Sequence, residues 1–284
     1  IDNSQGSSNP PPINMSPIEL GYQEWENGRL ISLCVSSAMD GCETYTLSGN
    51  IPENVGDLSE LRELTLSQNE LSNSIPISIG NLDSLTILKL NNNILTGSIP
   101  LEVFEITTLE VLILHRNDLT GSIPIEVGNL INLNILILSF NELTGSIPAE
   151  IGSLINLSRL TFSNNQHNGV IPPEIGNLTN LTYLHLGNNQ LSGALPIEIG
   201  NLINLETLFL YGNNLTDTIP SEIGNMTSLD KLSLNNNQFT GSIPSEIGNL
   251  VNLTRLFLSS NELSEKFPLF IYAIVVILLS GFIL

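Results

Sequence analysis

Apolar and asparagine positions return along this chain every 24 residues, in the frame L-x-x-L-x-L-x-x-N-x-L-x-x-x-I-P. The clearest copy is LTILKLNNNILTGSIP, from Leu85 to Pro100. Nine asparagines mark the period: Asn69, Asn93, Asn117, Asn141, Asn165, Asn189, Asn213, Asn237 and Asn261. No insertion interrupts the pattern from about Leu61 to Leu263. Such self-similarity is the mark of stacked units, each burying its apolar face only against its neighbours. Inside a unit the Leu-x-Leu alternation, as at Leu64 and Leu66, turns apolar side chains inward and the intervening residues outward, which predicts a short strand. Stacked strands make a parallel sheet with about 4.8 Å between successive units.

The asparagine after each strand turns the chain. Nine in register predict a buried ladder, with each amide satisfying backbone groups of its own turn and of the neighbouring unit. The sequence L-T-G-S-I-P follows, with Ser or Thr at its second position in nine of ten copies and Asn168 as the exception. The proline is expected at the first position of a short helix, where its fixed backbone angle fits. Two residues later comes an acid: Glu102, Glu126, Glu150, Glu174, Glu198, Glu222 and Glu246. A carboxylate there complements the helix dipole, so this row reads as solvated helix starts. The glycine of I-G-N-L, as at Gly128 and Gly152, is expected to end the helix.

The run L-T-G-x-I-P-x-E-I-G-N-L, present as LTGSIPIEVGNL over 119–130 and FTGSIPSEIGNL over 239–250, resembles the plant-type leucine-rich repeats. These occur in the ectodomains of receptor-like kinases and receptor-like proteins, and in polygalacturonase inhibitors. The resemblance covers roughly 47–263. It implies an α/β solenoid, a right-handed superhelix with a concave parallel β-sheet and short 3-10 or α turns on the convex side. It also implies a binding module, since the family takes peptides, small hormones, other proteins and cell-wall enzymes.

Outside the repeats the composition changes. Residues 1–19 are rich in Ser, Asn and Pro without apolar period and read as a flexible lead-in. Residues 20–52 hold the only tryptophan, Trp25, and a first strand pattern at Leu30, Leu33 and Val35, and read as a cap with a degenerate first repeat. Cys34 and Cys42 are the only cysteines, and a disulfide between them would pin the insertion that separates Val35 from Leu47. The regular repeats occupy 53–266. Residues 267–284 carry no charge, and as a helix would span about 27 Å, which predicts a membrane anchor with the repeats outside the cytoplasm. A secreted form is the alternative.

Charge and chemistry narrow the function. A formal net charge of −20 repels phosphate backbones, so nucleic acid is not an expected partner. There are three histidines. His115 and His185 fall at outward strand positions, and His167 stands in a column otherwise filled by Leu or Phe, as a defect in the core. Catalysis needs His, Cys or paired acids converging in a pocket, and no such constellation, metal-ligand spacing or phosphate loop is present. The reading is a protein that is not an enzyme and takes no cofactor or metal.

The outward columns of the sheet carry the candidate site. Five of the eight Lys and Arg sit in four of these columns, against one acid, Glu63. An apolar patch comprises Ile87, Val111, Ile113, Ile135, Ile137 and Phe140, bordered by Lys89 and Arg116. A second patch is aromatic: Tyr183, Phe209, Tyr211 and Phe257, with His185 among them. Exposed apolar clusters of this kind mark binding surfaces. The expected function is a receptor-like ectodomain recognising a peptide or protein on its concave face, with a co-receptor as a further partner. The alternatives are an inhibitor of a cell-wall-degrading enzyme and, through the Thr-x-Ser rows, an ice-binding solenoid.

Overall fold

The structure is a computed structural model that describes residues 22–36, 43–44 and 46–264. Nine three-residue strands, from Glu63–Thr65 to Arg255–Phe257, pair in parallel and in sequence order. They recur in register every 24 residues, so that Ile87 lies beside Val111, Val111 beside Ile135, and Ile135 beside Arg159. This is the leucine-rich solenoid expected, with the long sheet on its concave side. At the N-terminal edge Tyr22–Glu26 and Arg29–Ser36 form an antiparallel hairpin, and the second of these strands pairs in parallel with Glu63–Thr65.

The inward leucines make one continuous core. In a single unit Leu85, Leu88, Leu90 and Leu95 are all fully buried. The central strand position repeats this in every interior unit, from Leu64 and Leu88 through to Leu232. Burying each such side chain stabilises by about 1.5–3 kcal/mol relative to leaving it in water. In the last described unit Leu253, Leu256, Leu258 and Leu263 are only partly buried, because among the described residues no further unit stacks on them.

The asparagine ladder forms as predicted. The Asn93 amide donates to Leu66 O at 2.9 Å and Leu90 O at 3.0 Å, while its oxygen accepts from Leu71 N at 2.9 Å. One side chain thus ties its own turn to the preceding unit. A second asparagine ladder, not singled out in the sequence, runs along the outside. Asn132, Asn156, Asn180, Asn204 and Asn252 each donate to a carbonyl 25 residues back, Asn156 reaching Ile131 O at 2.9 Å.

The convex elements are the short turns expected, and among the described residues all nine are five-residue 3-10 turns, such as Ile125–Asn129. They differ from expectation in two details. The proline caps the turn from outside in extended conformation, Pro124 having φ −80° and ψ 164°, rather than occupying its first position. The glycine lies inside the turn, and the turn ends one residue later at asparagine. Its reason is close packing: a Cβ on Gly152 would stand 2.6 Å from Glu174 O of the next unit. The glutamates do fall in the first turn.

The L-T-G-S segments hold a further surprise. They pair into a second set of parallel strands, two four-stranded sheets and one of two strands, on another side of the solenoid. The central glycine has left-handed φ, +76° at Gly145, which L-residues with a Cβ adopt poorly. Cys34 is disulfide-bonded, while Cys42 lies outside the described residues, as do 1–19 and the expected anchor over 267–284. Among the described residues no helix is long and apolar enough to cross a membrane.

Candidate ligand-binding face

Two outward rows cross the long sheet, one per alternate strand position. The first runs Ile87, Val111, Ile135, Arg159, Tyr183, Thr207, Lys231 and Arg255. The second runs Lys89, Ile113, Ile137, Thr161, His185, Phe209, Ser233 and Phe257. Register alone brings the aliphatic candidates Ile87, Val111, Ile113, Ile135 and Ile137 onto three adjacent strands, all half-buried, with Lys89 at their edge. The strand pleat fixes this alternation, so the inward leucines and the outward candidates are consequences of one backbone geometry.

Tyr183, His185, Phe209 and Tyr211 meet in one cluster. His185 and Phe209 pack edge-to-face with centroids 5.3 Å apart, and Tyr183 meets Phe209 at 6.1 Å. Tyr211 stands 5.4 Å from His185, with its hydroxyl 3.2 Å from His185 Nε2. Burial among these rings pushes His185 down to about 4 and raises Tyr211, whose second cause is Tyr183. At neutral pH the bond therefore joins a neutral imidazole to a neutral phenol. Arg159 completes the cluster by stacking on Tyr183, Cζ 4.1 Å from the ring centroid. It was not singled out from the sequence, although its place directly before Tyr183 in the first row was the available signal. Phe257 does not join, since it lies two strands beyond Phe209 beside Ser233.

The positive strip is narrower than the columns implied. Lys231 pairs with Asp230 at 3.2 Å from the sheet flank. Asp230 is held below its ordinary value chiefly by a hydrogen bond from Thr254, with Lys231 and Arg255 adding to it. Lys89, Arg116, Arg159 and Arg255 take part in no ion pair among the described residues.

At the rim of the sheet, the residue just before each ladder asparagine has left-handed φ: Gln68, Asn92, Arg116, Phe140, Asn164, Asn188, Gly212, Asn236 and Ser260. Asn and Gly tolerate this region, whereas a bulky side chain there costs about 1–2 kcal/mol. Arg116 and Phe140, both at φ 57°, are the two large side chains in the column. They stack, with Arg116 Cζ 5.2 Å from the Phe140 centroid. Beneath them opens a hollow of about 580 Å³ lined by Asn92, Asn93, Arg116, Asn117, Asp118 and Phe140. Beside Arg116, His115 has a buried Nδ1 without a hydrogen-bond partner and is shifted down by burial, then by the guanidinium.

His167 is buried in the core as expected, with Nδ1 3.3 Å from Gly145 O and Nε2 without a partner. No group of three or more His, Cys, Asp or Glu among the described residues is placed to hold a metal.

Sequence profiles of this repeat agree with the geometry. A leucine-rich repeat region profile matches residues 164–268, and the single-repeat profile matches 60–82, 108–130 and 132–154. The chain belongs to the leucine-rich repeat family. Among solved structures, this leucine-rich repeat chain is 39% identical to the Arabidopsis receptor kinase HAESA in complex with the peptide hormone IDA and the co-receptor SERK1, with a TM-score of 0.81 over 86% of this chain and 40% of that one. It is 39% identical to the plant peptide hormone receptor RGFR1 in complex with RGF2, with a TM-score of 0.79 over 82% of this chain and 36% of that one. The repeats thus span well under half of those receptor chains. A plant ice-binding protein is 32% identical, with a TM-score of 0.73 over 88% of this chain and 78% of that one. No protein of curated function matches the sequence.

Proposed function

We propose that the chain is a non-catalytic, receptor-like module that takes a peptide or protein ligand on the concave sheet. The observation that carries this is the content of the outward rows. Ile113, Ile137, Tyr183, His185 and Phe209 stand half-exposed at positions that other units fill with Thr or Ser, so the fold does not require them. Apolar and aromatic side chains left at a surface in this way are what an interface core is built from. The similarity to HAESA and RGFR1, each solved with a peptide hormone, supports the same reading. An anchor over 267–284 would place the repeats at the cell surface, and a co-receptor is compatible with it. An enzyme held by an inhibitor would use the same face.

The test is to pan a random dodecapeptide display library on the immobilised full-length protein and measure the recovered peptides in solution. Phe209→Ser and Ile137→Ser should each weaken binding at least tenfold, while Glu150→Gln on the convex side leaves it unchanged. A larger loss from Glu150→Gln than from either sheet variant would put the binding surface on the wrong side.

A second reading has its own observation. The short strands expose Thr96, Thr120 and Thr144 with Ser98, Ser122 and Ser146, and their register sets Thr120 beside Ser98 and Thr144 beside Ser122, so hydroxyls of successive units lie side by side. With the likeness to a plant ice-binding protein, this supports binding to ordered water. Thermal hysteresis, or inhibition of ice recrystallisation, that disappears in Thr120→Lys would establish it, and the absence of both activities in the wild type would remove it.

A further inference from the structure

The rim column provides an internal control for strain. Nine successive units place the same backbone in the left-handed region, six filling it with Asn, Gly or the small Ser and one, Gln68, with a flexible amide. Nothing in the fold calls for a large side chain there, yet units three and four carry Arg116 and Phe140. An arginine and a phenylalanine at φ 57° are held against their own backbone preference, and such strain persists where the side chain has work that a better-suited residue would not do. Both point into the same region. Phe140 is 48% exposed, the guanidinium lies across its ring, and the hollow beneath is open to solvent.

The free chemistry of this hollow is specific. The amides of Asn93 and Asn117 are spent on the ladder. The Asn92 amide, Arg116 and Asp118 remain, the last two in no ion pair among the described residues. Arg116 offers planar donors that match a carboxylate, Asp118 accepts from an N–H, and the Phe140 ring offers an apolar edge.

We propose that Arg116 and Phe140 form a preformed clamp for a peptide carrying an acidic side chain next to an apolar one. The carboxylate meets Arg116, the apolar side chain lies against Phe140 and Ile137, and a peptide N–H reaches Asp118. This rests on the peptide-binding reading above and deepens it by naming the anchor and the residues that it reads. The clamp needs no rearrangement, because the two side chains are already stacked before a ligand arrives.

The test separates structure from recognition. Asn is the commonest residue in the column, so Arg116→Asn and Phe140→Asn should relieve the backbone and raise the melting temperature, by about 2–4 °C each. The same variants should weaken the library-selected peptides at least tenfold, and those peptides should share an acid beside an apolar residue. A gain of stability together with a loss of binding supports the clamp. A lower melting temperature in both variants would make the side chains structural and overturn it. Peptides that lose affinity in Phe209→Ser but not in either Asn variant would also overturn it, leaving the concave-face reading intact. A library that yields no binding peptide would count against both.

Discussion

Asn117 and Arg116 are neighbours in sequence, and each belongs to a column of nine residues with a 24-residue period. The ladder column is asparagine in every unit, whereas the column one residue earlier holds Gln, Asn, Arg, Phe, Gly and Ser. The difference is in what the side chain must do. Asn117 spends its amide on Leu90 O and Leu114 O and its oxygen on Leu95 N, so no other residue of that size replaces it. Arg116 meets only a backbone requirement, and at a cost, and its side chain is committed to no hydrogen bond or ion pair among the described residues beyond its stack on Phe140. Where hydrogen bonds exhaust a side chain, the units are uniform. Where they do not, units diverge, and recognition has room to develop.

The largest effect should come from breaking the uniform column. Asn141→Ala removes three bonds, to Leu114 O, Leu138 O and from Leu119 N; the two carbonyls keep the amides of Asn117 and Asn165, but Leu119 N loses its acceptor and the link between units is broken. Denaturant unfolding should show a loss of about 1–3 kcal/mol. A variant as stable as wild type would show that the ladder is decoration, and the contrast with Arg116 would collapse.

A comparable loss is expected where uniformity comes from contact rather than from hydrogen bonding. Gly152→Ala drives a methyl towards Glu174 O at 2.6 Å, and should cost about 1–3 kcal/mol because stacked turns have no slack. An unchanged melting temperature would mean that adjacent turns can separate freely.

His167 sharpens the comparison from the other direction, as a departure inside a uniform apolar column. Replacing it by Leu removes a buried nitrogen without a partner, at the expense of the contact with Gly145 O, and should stabilise by about 1 kcal/mol. Burial lowers His167, and lowers His185 to about 4, from the ordinary 6.5. Below 6.5 the unfolded chain therefore binds more protons than the folded one. Stability from both groups is complete above about pH 6.5 and is lost as pH falls, that of His185 down to about 4. His167→Leu should flatten part of that fall, and parallel pH profiles for the two proteins would show that the imidazole is not desolvated.

The smallest effect belongs to the convex acids. Glu150→Gln sits on a five-residue turn and pairs with no cation among the described residues, so unfolding should shift by less than about 0.5 kcal/mol. A larger change would mean that this regular column has been misjudged as solvated.

The period of 24, the inward leucines, the buried asparagines and the outward rows were all legible in the sequence, because each follows from strand alternation and repetition, which are local rules. His167 in the core was legible for the same reason. Short convex turns were expected, but not the proline cap outside them or the glycine within them, whose place is set by how closely the next unit approaches. Nor did the sequence show that L-T-G-S segments pair into second sheets, since those strands exist only through their neighbours. Membership of the candidate patches was readable from register, and so was the exclusion of Phe257 two units beyond Phe209, but Arg159 stacking on Tyr183 and Asp230 neutralising Lys231 were not. These depend on how side chains from different units meet across about 4.8 Å, and that spacing becomes a contact only when the solenoid has closed its core.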